Sequence, residues 1–262
     1  ADGTEISSKE VVTEPSGAKT ITENTEKTDG TVKATEEITQ SVDESGKVTE
    51  TVKRTTEENS KTGKKTETET VWDETGEVAK TRIVETVTQP SGDYSKVTLN
   101  TTLKKDENGT ITGATVTIDT EVKTGKTTQK ASFILLDTGK SVKKASLNSL
   151  LKKAVKSKNA VALKEATTTA KNGTITIENS VEADGRSYTV TTLKKGLLMK
   201  NKTKPKKVTI KASGITKVEK GAFNRLAKKA TIQIKANKKD FKRIKNLLTK
   251  SGLPKGVKIK RI

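Results

Sequence analysis

The sequence predicts a mainly β chain with a small α+β part. An elongated antiparallel β-meander should occupy residues 1–139, and a basic α+β domain residues 140–262. Three observations predict this. Glycine-centred turns recur at near-constant intervals through the first half. The segments between them are rich in Thr and Val, as strands prefer. The charge also divides: residues 1–140 hold 19 Lys and Arg against 26 Asp and Glu, and the rest of the chain holds the remaining 33 of 52 basic and 6 of 32 acidic residues. Such asymmetry predicts two regions with different surroundings.

The turns come first in the chain. Small residues precede glycine at Ser16-Gly17, Asp29-Gly30, Ser45-Gly46, Thr62-Gly63, Thr75-Gly76, Ser91-Gly92, Asn108-Gly109, Thr124-Gly125 and Thr138-Gly139. The glycines step by 13, 16 and 17 residues, then 13, 16 and 17 again, then 16 and 14. This is a 46-residue internal repeat that sets 17–62 on 63–108. Each glycine should supply the left-handed residue of a short hairpin loop. Hydrophobic residues make up 29% of the chain and aromatics 2%. Disorder of residues 1–130 is therefore the competing reading, and the punctuation by turns argues against it.

Between the turns lie segments such as 31–42, 47–58, 96–105 and 110–122. Only the last alternates cleanly, with Ala114, Val116, Ile118 and Val122 on one face. In the others Glu, Lys and Thr fall on both faces. A two-layer sandwich needs one apolar face per strand, so the meander should be wet on both faces for much of its length. In composition it resembles the single-layer sheet of the spirochaetal outer surface lipoproteins. Trp72 and Tyr94, its only aromatics, read as cross-strand anchors rather than a stacking platform.

The apolar run 131–136 should form a strand covered on both sides. Leu147, Leu150, Leu151 and Ala154 follow at helical spacing behind Ser146, a fitting N-cap, and predict a packed amphipathic helix over 146–158. Strands are expected at 161–170, 173–180 and 186–193.

In the stretch 189–232 the apolar residues repeat. Thr192 to Leu198 align on Lys217 to Phe223, and Val190 on Ile215, at an offset of 25 residues. Ile210 aligns on Ile232 at an offset of 22. A short strand, a turn, then Gly-small-Phe is a pattern that stacks unit on unit. The segment from Ile215 through Gly221-Ala222-Phe223 to Leu226 resembles the BspA-like leucine-rich repeats of bacterial cell-surface proteins, over about 187–262. The resemblance implies a degenerate leucine-rich-repeat domain with one or two capping helices. Residues 238–262 would be the Lys-rich helix and final strand that close such an array, with Phe241, Ile244, Leu247 and Leu248 as the helix's buried stripe, and Gly252 and Pro254 ending the helix.

The chain has no Cys and no His, which removes thiol nucleophiles, Zn-type ligand sets and the side chain best suited to proton transfer near neutral pH. No phosphate loop, dinucleotide fingerprint or nucleophile elbow is present. No enzyme activity, cofactor or metal is expected, and acidic turns such as Asp43-Glu44-Ser45 and Asp106-Glu107-Asn108 read as solvated turns. No run of about 18 apolar residues exists, so no membrane span is expected. The first residues, Ala1-Asp2-Gly3, fit a secreted protein.

Two functions are therefore expected as alternatives. One is a secreted or cell-surface stalk with an adhesion module for an unknown protein or glycan partner. The other is envelope attachment through a polyanion such as teichoic acid, an acidic glycan or nucleic acid. The candidate polyanion contacts are Lys195, Lys200, Lys202, Lys204, Lys206, Lys207, Lys238, Lys239, Lys242 and Arg243. Arg, which reads bases and phosphates in bidentate fashion, occurs only six times, so sequence-specific nucleic-acid binding is not expected.

Overall fold

The computed structural model describes residues 5–27, 31–138, 160–171 and 173–262. The helix expected over 146–158, the turn at Asp29-Gly30 and Gly139 lie outside the described residues. The protein is mainly β with a long antiparallel meander. The described residues fall into two compact units divided within strands β8 and β9. One ends at Val116 and takes up again at Asp137; the other holds Thr117–Leu136 and everything described after residue 159.

In the first unit, consecutive strands are neighbours: β1 (Glu5–Thr13), β2 (Lys19–Lys27), β3 (Val32–Val42), β4 (Val48–Asn59), β5 (Lys64–Asp73), β6 (Val78–Thr88), β7 (Tyr94–Lys105) and the start of β8 (Ile111–Thr124). Each pair from β1 to β7 is antiparallel. Across β1–β7 only Val52, Val84 and Thr101 are buried. By register, Thr101 lies in the row through Ile38, one residue out of phase with the row through Val52. The buried positions are thus shared between the two faces, and no second layer covers either face among the described residues.

Cross-strand pairs stabilise this sheet instead. Ile21 stands between Val11 and Ile38, and Val52 opposite Val71. Arg54 lies in register between Glu37 and Glu69, bridging to them at 3.1 and 3.2 Å. Such exposed pairs contribute a few tenths of a kcal/mol each, roughly 0.2–1. Trp72 stands between Thr51 and Val78, half-buried, as a cross-strand anchor should.

The glycine turns follow one design. In five of them the glycine amide donates to the carbonyl three residues back, from Gly17, Gly46, Gly76, Gly92 and Gly109. All five glycines have φ between 75° and 88°, the left-handed residue of a type I turn closed by a bulge. With the strands in place a second period emerges. Turns at one end of the sheet open on Asp43, Asp73 and Asp106, each followed by Glu. The recurring unit there is a two-strand hairpin, because turns at the same end must be an even number of strands apart.

Burial deepens along β8. Ala114 and Val116 in the first unit and Ile118 in the second are 0–1% exposed, as the alternation predicts, while Val122 near the strand end is 45% exposed.

The second unit continues through β9 (Thr127–Asp137), β10 (Ala160–Thr168), β11 (Thr174–Ile177), β12 (Ser180–Ala183), β13 (Arg186–Leu193), β14 (Lys207–Ile210), β15 (Lys217–Val218), β16 (Thr231–Ile234), helix α1 (Lys238–Lys250) and β17 (Lys258–Arg261). In β9, Phe133 is buried while Ile134, Leu135 and Leu136 are half-buried, less covered than so apolar a run suggests. From β10 onward the chain coils. One parallel ladder runs β10-β13-β15 and the other β11-β14-β16-β17. The first three coils contribute one strand to each ladder, β10 then β11, β13 then β14, and β15 then β16; the last contributes β17 alone, after α1. Ile175, Ile177, Val208, Ile210, Ile232 and Ile234 from one ladder and Val161, Leu163, Val190 and Leu193 from the other are at most 2% exposed.

The 25-residue offset is a pairing in space: Thr192 stands opposite Lys217 and Leu193 opposite Val218. Gly196 and Gly221 both have positive φ, 74° and 81°, and Leu198 and Phe223 behind them are at most 1% exposed. The 22-residue offset needs correcting. Ile210 pairs with Ile234 and Val208 with Ile232, an offset of 24. A slip of two residues keeps every side chain on its face, so hydrophobicity cannot detect it.

Two side chains fasten the coils. Buried Asn201 donates to the carbonyls of Ala166 (2.8 Å) and Leu198 (3.0 Å) and accepts from the Thr168 amide (3.0 Å). Helix α1 starts at Asn237, whose side chain accepts from the Asp240 amide at 2.8 Å. Ile244 and Leu248 are buried, Phe241 and Leu247 half-buried, and Gly252 (φ 78°) terminates the helix as expected.

Candidate functional site

The parallel ladder β11-β14-β16-β17 places four short sequences in register: KNGTITI (171–177), KPKKVTI (204–210), KKATIQI (228–234) and KGVKIKR (255–261). Thr174, Lys207, Thr231 and Lys258 are directly paired in turn. Three residues before each stands a lysine: Lys171, Lys204, Lys228 and Lys255. All four are exposed. One lysine thus recurs three residues ahead of the strand in every coil.

The corners that carry them are bonded coil to coil. The Lys206 amide donates to the Gly173 carbonyl (3.3 Å), Thr231 to Lys206 (3.0 Å), Ala227 to Pro205 (2.9 Å) and Lys258 to Ala230 (2.9 Å). The strands behind these corners lie ~4.8 Å apart. Lys202, Lys206, Lys229 and Lys258 add four more exposed cations. The segments 202–207, 227–230 and 255–258 contain no Asp or Glu. Among the described residues no ion pair is made by Lys171, Lys204, Lys228 or Lys255.

Lys229 adds a second oddity. Its φ is +62°, a conformation that costs a side-chain-bearing residue about 1–2 kcal/mol. The corresponding residue in the last coil is Gly256 (φ 83°). Lysine is held where glycine would be relaxed, and strain of this kind concentrates at functional sites.

The ten expected contacts divide. Lys202, Lys204 and Lys206 lie exposed on this corner, and Lys207 heads β14 on its outward side, half-buried. Lys195 is exposed, and its amide donates to Glu219 at 2.9 Å. Lys200 is bound to Glu165 at 2.7 Å, which raises its pKa. Lys238, Lys239 and Lys242 lie on α1, which packs against β15. The Arg243 guanidinium is committed to the Ser213 and Ile215 carbonyls and to Asp240 at 2.9 Å. It fastens α1 to the preceding coil. Lys171, Lys228, Lys229, Lys255 and Lys258 are the members that sequence reasoning missed. The signal was available in the spacing of lysine before each strand, and the two-residue alignment slip concealed it.

Elsewhere, several cations are paired with carboxylates. Glu219 accepts from Lys194 Nζ (2.8 Å), then from the Lys195 amide, and these hold its carboxyl below the usual range. Lys211 meets Glu178 at 2.9 Å. In the first unit, burial pushes the Asp73 carboxyl up, but Lys105, the Thr75 hydroxyl and turn amides outweigh it and hold the pKa at about 2. The acidic turns are internally satisfied: Asp43 Oδ1 accepts from the Ser45 amide (2.9 Å), its hydroxyl (2.6 Å) and the Lys47 amide (3.0 Å). Among the described residues there is no group of three or more acidic side chains able to hold a metal ion. No described helix is long and apolar enough to cross a membrane. No protein-family model, curated protein or solved structure matches the chain.

Proposed function

We propose that this is a non-enzymatic secreted or cell-surface protein in which the two-face-solvated meander serves as a stalk and the coiled unit as an attachment module for polyanions. The lysine ladder carries this reading. It is a repeated, uncompensated row of cations on a rigid scaffold, and a bound polyanion would offset its self-repulsion. The other reading, adhesion to a neutral glycan or protein, has no comparably repeated surface among the described residues. The in-register pairing at 192–193 and 217–218 and the left-handed glycines at 196 and 221 support kinship with BspA-like leucine-rich repeats.

The test is a salt titration of binding to inorganic polyphosphate. Affinity should collapse between about 50 and 200 mM salt. Each of Lys204→Gln, Lys228→Gln and Lys255→Gln should lower the slope of log K against log salt by about one. Gln at Lys238, Lys239 or Lys242 should change it less. Equal effects from ladder and helix variants, or binding indifferent to salt, would reject the proposal.

A further inference from the structure

The lysine ladder borders a second repeated surface. Strands β11, β14, β16 and β17 alternate, so residues one apart from the buried Ile175, Val208 and Ile232 face outward. One outward row is Thr174, Lys207, Thr231, Lys258, and the next is Thr176, Thr209, Gln233, Lys260. The first row adjoins the lysine corner. Moving away from the corner, the surface passes from a row of ammonium groups and hydroxyls to one of hydroxyls and an amide, with the Lys260 ammonium at its β17 end.

We infer that ladder and outward face form one binding site for an anionic polysaccharide, the lysines taking its carboxylates and Thr209, Thr231 and Gln233 its hydroxyls. This rests on the polyanion reading above and narrows it. Charge complementarity selects an acidic polymer. Side-chain hydroxyls and amides, which both donate and accept, match sugar hydroxyls. The strand repeat of ~4.8 Å is comparable to the length of one sugar residue, so each coil meets the next unit of such a chain. In the first row Lys207 and Lys258 flank Thr231, which suits a polymer whose charged and neutral sugars alternate. Single-stranded nucleic acid fits less well. Of the unit's aromatics Phe133, Tyr188 and Phe223 are buried and Phe241 lies on α1, so no ring on this surface can stack a base.

The experiment measures binding of the full chain to three probes at one salt concentration: a uronate–amino-sugar oligosaccharide long enough to cross the sheet, inorganic polyphosphate, and single-stranded DNA. The oligosaccharide should bind more tightly per charge than the other two. Thr209→Val and Gln233→Ala should each weaken the oligosaccharide by about 2- to 10-fold, the range for one hydrogen bond, and leave polyphosphate unchanged. Thr209→Ser, which keeps the hydroxyl, should retain binding and shows that a loss in the Val variant is not misfolding. Equal binding of all three probes per charge, or unchanged oligosaccharide affinity in both face variants, overturns the inference while the ladder proposal stands. Failure of polyphosphate to respond to ladder lysines overturns both.

Discussion

Lys229→Gly should make the protein more stable and a poorer binder at once. Lys229 holds φ +62° two residues before Thr231. Releasing a side chain from the left-handed region recovers about 1–2 kcal/mol. Glycine gives back about 0.5–1 kcal/mol through the greater freedom of the unfolded chain. The net gain is roughly 0.5–1 kcal/mol, a melting shift of about 1–4 °C for a unit of this size. Removing the cation from an uncompensated row adds to the gain. Amide hydrogen exchange at Ile232 and Ile234 reports the local effect, because both are fully buried in β16. Polyphosphate affinity should fall in the same sample, with the salt slope reduced by about one. Lys229→Asn should stabilise less, since Asn tolerates the left-handed region only partly. A destabilised Lys229→Gly protein would refute the strain argument, and unaltered affinity would refute the assignment of Lys229 to the site.

Three further outcomes test the fold. Gly63→Ala should cost more than Gly46→Ala by at least about 1 kcal/mol: both glycines have positive φ, but a Cβ at Gly63 would meet the Thr88 carbonyl whereas Gly46 faces open space. Urea unfolding followed by the fluorescence of Trp72, the single tryptophan, reads this directly, and equal losses would contradict the geometry. Asp73 has a folded pKa near 2, below its ordinary 3.8. It therefore stabilises the sheet fully above about pH 4 and loses that contribution as pH falls through 2. Asp73→Asn should flatten the acid limb of the Trp72 transition by up to about 1 kcal/mol after solvent screening; an unchanged acid limb would remove Asp73 from the account. Asn201→Leu should cost about 2–3 kcal/mol by leaving the Thr168 amide and the Ala166 and Leu198 carbonyls without their buried partner. Circular dichroism on thermal unfolding measures it, and a neutral substitution would show that water replaces the side chain.

Turn chemistry is a local property, and the sequence therefore determined the meander. Glycine before a strand of Thr and Val defines a hairpin without reference to anything distant, as Gly46, Gly76 and Gly109 illustrate. The absence of a clean apolar face in β3 to β7 likewise determined that the sheet would be solvated on both sides. The repeat at Gly196 and Gly221 was legible because buried Leu198 and Phe223 mark it. Register between distant strands was not, since parallel pairing of Ile210 with Ile234 rather than Ile232 leaves hydrophobicity unchanged. Only the tertiary structure decided which lysines stand together. It joined Lys171, Lys204, Lys228 and Lys255 across more than eighty residues of chain, separated them from the lysines of α1, and committed Arg243 to holding that helix. A charge in the sequence has a sign and a position; its neighbours, and so its energy, are set by the hydrogen-bonded ladder that brings one coil against the next.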